Sequence, residues 1–149
     1  MNLLYDTNIL AYLVRQQKPN SLLQTINPNN QKVFVSIVTI GELKSIALQN
    51  SWGAQKLQLL NEVLDTMMIV EINESLANTY AEVDAFSQCR NPSYTDYSFV
   101  TSRNMGKNDL WIASTAALLG LKLITADKDF NHLNQVFLEV GYIKSELLK

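Results

Sequence analysis

Thiol and imidazole groups are almost missing from this chain of 149 residues: Cys89 is its only cysteine and His132 its only histidine. One cysteine cannot close an internal disulfide, and no clustered histidines and cysteines exist to hold zinc. Nothing near Cys89 in sequence would lower its thiol pKa, which argues against a nucleophilic role, and His132 reads as a surface loop residue. Glycine and proline are scarce, at 5 and 3 residues, and neither repeats nor low-complexity tracts interrupt the chain. Charge of either sign is thin, with 12 basic and 14 acidic residues and a net charge of −2. That balance excludes a broad basic surface gripping nucleic acid through phosphates alone. It does not exclude a nucleic-acid enzyme whose positive charge comes from a bound cation. No apolar run approaches the roughly 20 residues of a membrane span, and no basic segment leads into a signal-type apolar stretch, so the expectation is a cytoplasmic protein.

What is present is apolar residues, 47% of the chain, enough for residues 1–149 to be expected as one domain that buries roughly two-thirds of its unfolded surface. Read by periodicity, residues 2–5 form a short buried strand and residues 8–16 a helix with Ile9, Leu10, Tyr12 and Leu13 on its apolar side. Pro19 marks a loop. The β-branched run VFVSIV at 33–38 is a strand leading into a helix over 40–49, and a second helix follows over 54–65. MMIVEI at 67–72 reads as another buried strand, after which Asn73 caps a helix carrying Leu76, Tyr80 and Val83. Between Cys89 and Lys107 the pattern disappears. A helix over 108–119 stopped by Gly120, a strand at 121–125 and a last strand, VFLEV at 136–140, complete the order. Uniformly apolar strands alternating with helices predict an α/β fold, a parallel sheet covered on both faces, whose ligands bind beyond the carboxyl ends of the strands.

Four acids fall at or near those ends: Asp6 after the first strand, Glu42 one helical turn past the second, Asp109 opening the helix before the fourth, and Asp127 just after Thr125. Each has a local explanation. Asp6 can cap a helix, Thr39 and Glu42 have the spacing of a capping box, Asp109 suits a helix dipole, and Asp127 can cap the turn DKDF. Four independent caps need not converge, whereas a parallel sheet carries all four positions to one edge. Carboxylates gathered there repel one another unless a cation lies between them. Mg²⁺ or Mn²⁺ suits all-oxygen ligands, and Mg²⁺ keeps several waters with one or two direct carboxylates.

The segments YDTNIL at 5–10, TIGELKSIA at 39–47, KNDLWIASTA at 107–116 and LITADKDF at 123–130 resemble, in order and over nearly the full length, the signature segments of the PIN-domain ribonucleases, particularly the small VapC-like toxins of type II toxin–antitoxin systems. The resemblance implies a three-layer α/β/α fold and Mg²⁺- or Mn²⁺-dependent hydrolysis of RNA phosphodiesters. It implies metal-binding catalytic acids at Asp6, Glu42, Asp109 and Asp127, polar support from Asn8, Asn108 and Thr125, and a protein antitoxin. Asp127 is preferred to Asp129 because it lies directly at the strand end. The unpatterned segment offers Tyr94, Tyr97 and Phe99 for base stacking and Arg90, Arg103 and Lys107 for phosphates; equally, its aromatics could cover the core. The helix over 54–65 carries more leucine and valine than one buried face needs, which predicts a homodimer. The alternative to an enzyme is a PIN-like RNA- or protein-binding module without catalysis, but such a module has no need to keep mutually repelling acids.

Overall fold

The structure, a computed structural model, describes residues 1–16 and 19–148. Five parallel strands form one sheet: β1 (Leu3–Tyr5), β2 (Val33–Ser36), β3 (Met68–Val70), β4 (Lys122–Thr125) and β5 (Glu139–Tyr142), in the spatial order β3-β2-β1-β4-β5. β1 is central. It pairs with β2 through Tyr5↔Val35 and with β4 through Tyr5↔Ile124. The chain leaves β1 toward β2 and β3 and later returns on the other side to β4 and β5, so the strand order reverses beside β1. In open parallel sheets this reversal opens a crevice at the carboxyl ends, here between Asp6 and the residues that follow Thr125.

Among the described residues, six α-helices cover the two faces: α1 (Thr7–Arg15), α2 (Pro19–Ile26), α3 (Ile37–Gln49), α4 (Ala54–Asp65), α5 (Ala77–Ser87) and α6 (Lys107–Leu119). Because successive strand residues point to opposite faces, Leu3 and Tyr5 of β1 enter a core with α1, α2, α3 and α4, and Leu4 enters a second core with α5 and α6. This is the expected three-layer α/β/α arrangement. No helix among the described residues is long and apolar enough to cross a membrane.

Several elements depart from the sequence reading. Where Pro19 marked a loop, α2 runs Pro19–Ile26, because a proline is tolerated in a first helical turn, where its N–H would have no partner. α3 begins at Ile37 rather than Ile40. Ser36 caps it, its hydroxyl accepting the Val38 N–H at 3.1 Å, so Thr39 and Glu42 do not form a capping box. β3 is an edge strand and not a buried one: Met68 and Ile69 are exposed. The last strand starts at Glu139, three residues late, because Gln135 takes a left-handed turn and Leu138 makes only an isolated bridge with Asn134. Asn73 caps a 3-10 turn, Glu74–Leu76, that feeds α5. Gly120 ends α6 at φ 65°, a conformation that glycine adopts without steric cost.

Candidate active site

Asp6 ends β1 and caps α1. Its Oδ1 accepts the Ile9 N–H at 3.0 Å, and the residue is 4% exposed. Thr125, the last residue of the neighbouring strand β4, donates its hydroxyl to Asp6 Oδ2 and accepts the Asp127 N–H at 2.9 Å. Asp127 Oδ1 in turn accepts the Asp129 N–H at 2.9 Å and caps the 3-10 segment Lys128–Leu133. One threonine hydroxyl therefore binds the ends of β1 and β4 to the start of the next element. The local capping roles of Asp6 and Asp127 are real, and they aim both carboxylates at the same crevice.

Glu42 is free of any capping duty. It lies in the second turn of α3, half-buried, and its Oε1 accepts the Thr7 hydroxyl at 2.7 Å. The same hydroxyl lies 3.3 Å from that of Thr39, which is fully buried. Thr7 is thus the residue that holds Glu42, and Thr39, which in the sequence looked like part of a capping box, lies against Thr7 instead. Their sequence signal was their position inside DTN and T-x-x-E.

Asp109 projects from the first turn of α6. Burial and then the negative charges of Asp127, Glu42, Asp6 and Asp129, in that order, push its carboxyl up to about 6, with no compensating hydrogen bond. Asp6 is also pushed up to about 6, by burial first, against the Thr125 hydroxyl and the Ile9 N–H. Burial is the larger cause of both shifts; the smaller, charge-driven part shows that Asp109 feels Asp127, Glu42, Asp6 and Asp129, and that Asp6 feels Asp127, at one edge of the sheet. Among the described residues no three acidic, histidine or cysteine side chains close into a finished metal cage. An open, all-oxygen set fits a hydrated hard cation such as Mg²⁺, which needs only one or two direct carboxylates, and does not fit zinc.

Asn8 is exposed in the first turn of α1 and meets Asp6 through its backbone N–H. Asn108 is exposed on α6 and borders, with Glu42, Gly41 and Ser45, a hollow of about 570 Å³. Lys107 is exposed at the start of α6, and Arg103 holds its guanidinium 5.6 Å from the centre of the Phe99 ring. Tyr94, Tyr97 and Phe99 do not stand out for base stacking. They pack on Phe86 with ring centres 4.8, 5.1 and 5.5 Å away, so the unpatterned segment covers the core. His132 is not a surface loop residue. It is half-buried in the 3-10 segment, its Nε2 lies 2.8 Å from the Ser87 hydroxyl, and burial followed by the Arg103 charge pushes its pKa down to about 4.

A parallel sheet of order 3-2-1-4-5 with acids gathered at its reversal point defines an α/β protein with an anionic crevice. The PIN domain model matches residues 3–136, and the chain belongs to the PIN domain family. Its curated relatives include Ribonuclease VapC2 of Haemophilus influenzae, 24% identical over 120 residues that span 80% of this chain and 82% of that one. VapBC2 from Rickettsia felis, solved bound to a DNA fragment from their promoter, superposes with a TM-score of 0.74 at 19% identity, covering 95% of this chain and 98% of that one. VapBC-5 from Mycobacterium tuberculosis, a member of the VapBC family of toxin–antitoxin systems, gives a TM-score of 0.61 at 22% identity over 95% and 98%.

Proposed function

We propose that the chain, residues 1–149 acting as one unit, is a Mg²⁺- or Mn²⁺-dependent endoribonuclease and the toxin of a toxin–antitoxin pair. The observation that carries this reading is the convergence of Asp6, Glu42, Asp109 and Asp127 on the crevice at the strand-order reversal. The ribonuclease name of the Haemophilus relative and the toxin–antitoxin assemblies among the structural neighbours support it. These four acids would hold the metal, with Asp127 rather than the exposed Asp129 as the fourth. A bound divalent ion supplies charge to balance a phosphodiester and lowers the pKa of water.

The protein's own residues prepare that site. Thr125 and the Ile9 N–H fix the Asp6 carboxylate, and their hydrogen bonds favour its charged form against burial. Thr7 holds Glu42 in one rotamer. Asp109, whose carboxyl is raised first by burial and then by the charges of its neighbours, would be favoured as an anion by positive charge in the crevice. The attacking group in this reading is water.

The test is cleavage of a mixed tRNA pool by purified protein with Mg²⁺ or Mn²⁺, against EDTA and against Asp109→Asn prepared identically. Cutting that requires both metal and Asp109 is expected. Equal background from folded wild type and variant would overturn the assignment in favour of a binding module. Two copies are further proposed to pair through α4, where Leu57 is exposed beside the exposed Leu48 of α3. Light scattering at micromolar concentration should report a dimer, and a monomer would contradict the pairing.

A further inference from the structure

Ser98, Phe99, Arg103, Lys128, Asn131 and His132 enclose a hollow of about 340 Å³. Its walls come from the irregular segment before α6 and from the 3-10 segment that begins beside Asp127. Neither cation of the hollow is neutralised by a carboxylate: among the described residues, the ion pair formed is Lys122 with Glu139, at 3.7 Å on the far side of β4. Arg103 is also placed rather than loose. Its backbone N–H donates to the Ser87 carbonyl at 2.7 Å, and its guanidinium lies over Phe99. Beneath it, Ser87 and His132 hold the 3-10 segment to the end of α5.

Two like charges lining one concavity repel each other, and an anion between them removes that cost. The donors match a phosphate. Arg103 presents a planar fork suited to two phosphate oxygens, Lys128 a point charge, and Asn131 and Ser98 neutral hydrogen bonds. The position also matters, because Lys128 directly follows Asp127, while Glu42 and Asn108 border the other hollow. The acid crevice is therefore flanked by a groove along α3, lined by Glu42 and otherwise neutral residues, and by a cationic hollow along the 3-10 segment.

We propose that the Arg103–Lys128 hollow is a subsite for one backbone phosphate of an RNA strand, adjacent to the phosphodiester presented to the carboxylates. The inference rests on the nuclease reading and deepens it. It assigns Lys128, Asn131 and Ser98 a role, and it gives a chain of net charge −2 a seat for a polyanion beside an acidic edge, where two cations without a carboxylate partner line one hollow.

The experiment is fluorescence anisotropy of a short labelled single-stranded RNA of mixed sequence, in EDTA, over a series of salt concentrations. Arg103→Ala/Lys128→Ala should weaken binding about tenfold and reduce the slope of log affinity against log salt by about 0.7, the loss of one phosphate contact on a single strand. Lys32→Ala, at the amino edge of the sheet, should change neither. A folded double variant with wild-type affinity and slope would overturn the subsite, whatever the cleavage assay shows. Inorganic phosphate is the second probe: binding of phosphate to wild type that leaves RNA affinity unchanged at saturation would make the hollow a free-anion site and overturn the proposal. Wild type that binds RNA through these two cations yet never cuts RNA in Mg²⁺ or Mn²⁺ would keep the subsite and remove the nuclease reading.

Discussion

On one face of the sheet, Leu3 and Tyr5 of β1 pack with Ile9, Leu10 and Leu13 of α1 and with Ile40 and Leu43 of α3. On the other, Leu4 and Leu123 lie under Phe86, Phe99 and Phe130. The first layer is largely aliphatic and built from regular helices at regular spacing. The second is centred on rings, with Phe86 touching Tyr94, Tyr97, Phe99 and Phe137 at centre distances of 4.8 to 5.5 Å. The aromatic layer holds a stretch of chain that has no helix or strand of its own, because large rings bury enough area to fix a backbone that lacks repeating hydrogen bonds. The two layers divide the crevice between them. Asp6 and Glu42 come from the aliphatic side, Asp109 and Asp127 from the elements packed on the aromatic side.

Phe86 is where this contrast breaks most sharply. Phe86→Ala should cost about 3–5 kcal/mol in denaturant unfolding, and Leu10→Ala, in the other layer, about 2–5 kcal/mol. The distinguishing readout is hydrogen exchange: Phe86→Ala should strip protection from residues 90–106, and Leu10→Ala should leave it. Equal loss in both variants would mean that the layers are one cooperative unit and that the rings have no special hold on the segment.

The same division explains what could be read in advance. The aliphatic layer was legible because its helices repeat apolar residues at helical spacing, and α1, α3 and α4 emerged with small shifts at their ends. α2 was hidden by its shortness and by Pro19. The segment from Cys89 to Lys107 carried no period, since its order comes from contacts with Phe86, Phe137 and His132 that no local pattern encodes. For the crevice, strand ends were enough to find four acids. They could not show that Thr7 rather than a backbone N–H holds Glu42, nor that Arg103 and Lys128, 25 residues apart by their numbers, share one hollow.

A smaller effect sharpens the electrostatics. The folded chain keeps protons on Asp109 and Asp6 that the unfolded chain releases between about pH 4 and 6, so the metal-free fold loses stability as pH rises through that window and does not regain it above. Asp109→Asn removes part of this repulsion. With allowance for solvent screening, the gain at about pH 7.5 should be about 1 kcal/mol, a Tm increase of about 2–4 °C. It should vanish below about pH 3, where the acid is protonated in both states. A variant less stable than wild type at neutral pH would show that the carboxylate supports the fold rather than opposing it.

Asp6, Glu42, Asp109 and Asp127, as read here, form one cation site. Its most direct test is an electron paramagnetic resonance titration of Mn²⁺ into wild type and into Asp109→Asn. Wild type should remove free Mn²⁺ from solution at stoichiometric concentration, and the folded variant should bind it at least about tenfold more weakly, roughly 1.4 kcal/mol. Wild type that leaves Mn²⁺ free, or a variant that binds it equally well, would contradict the account.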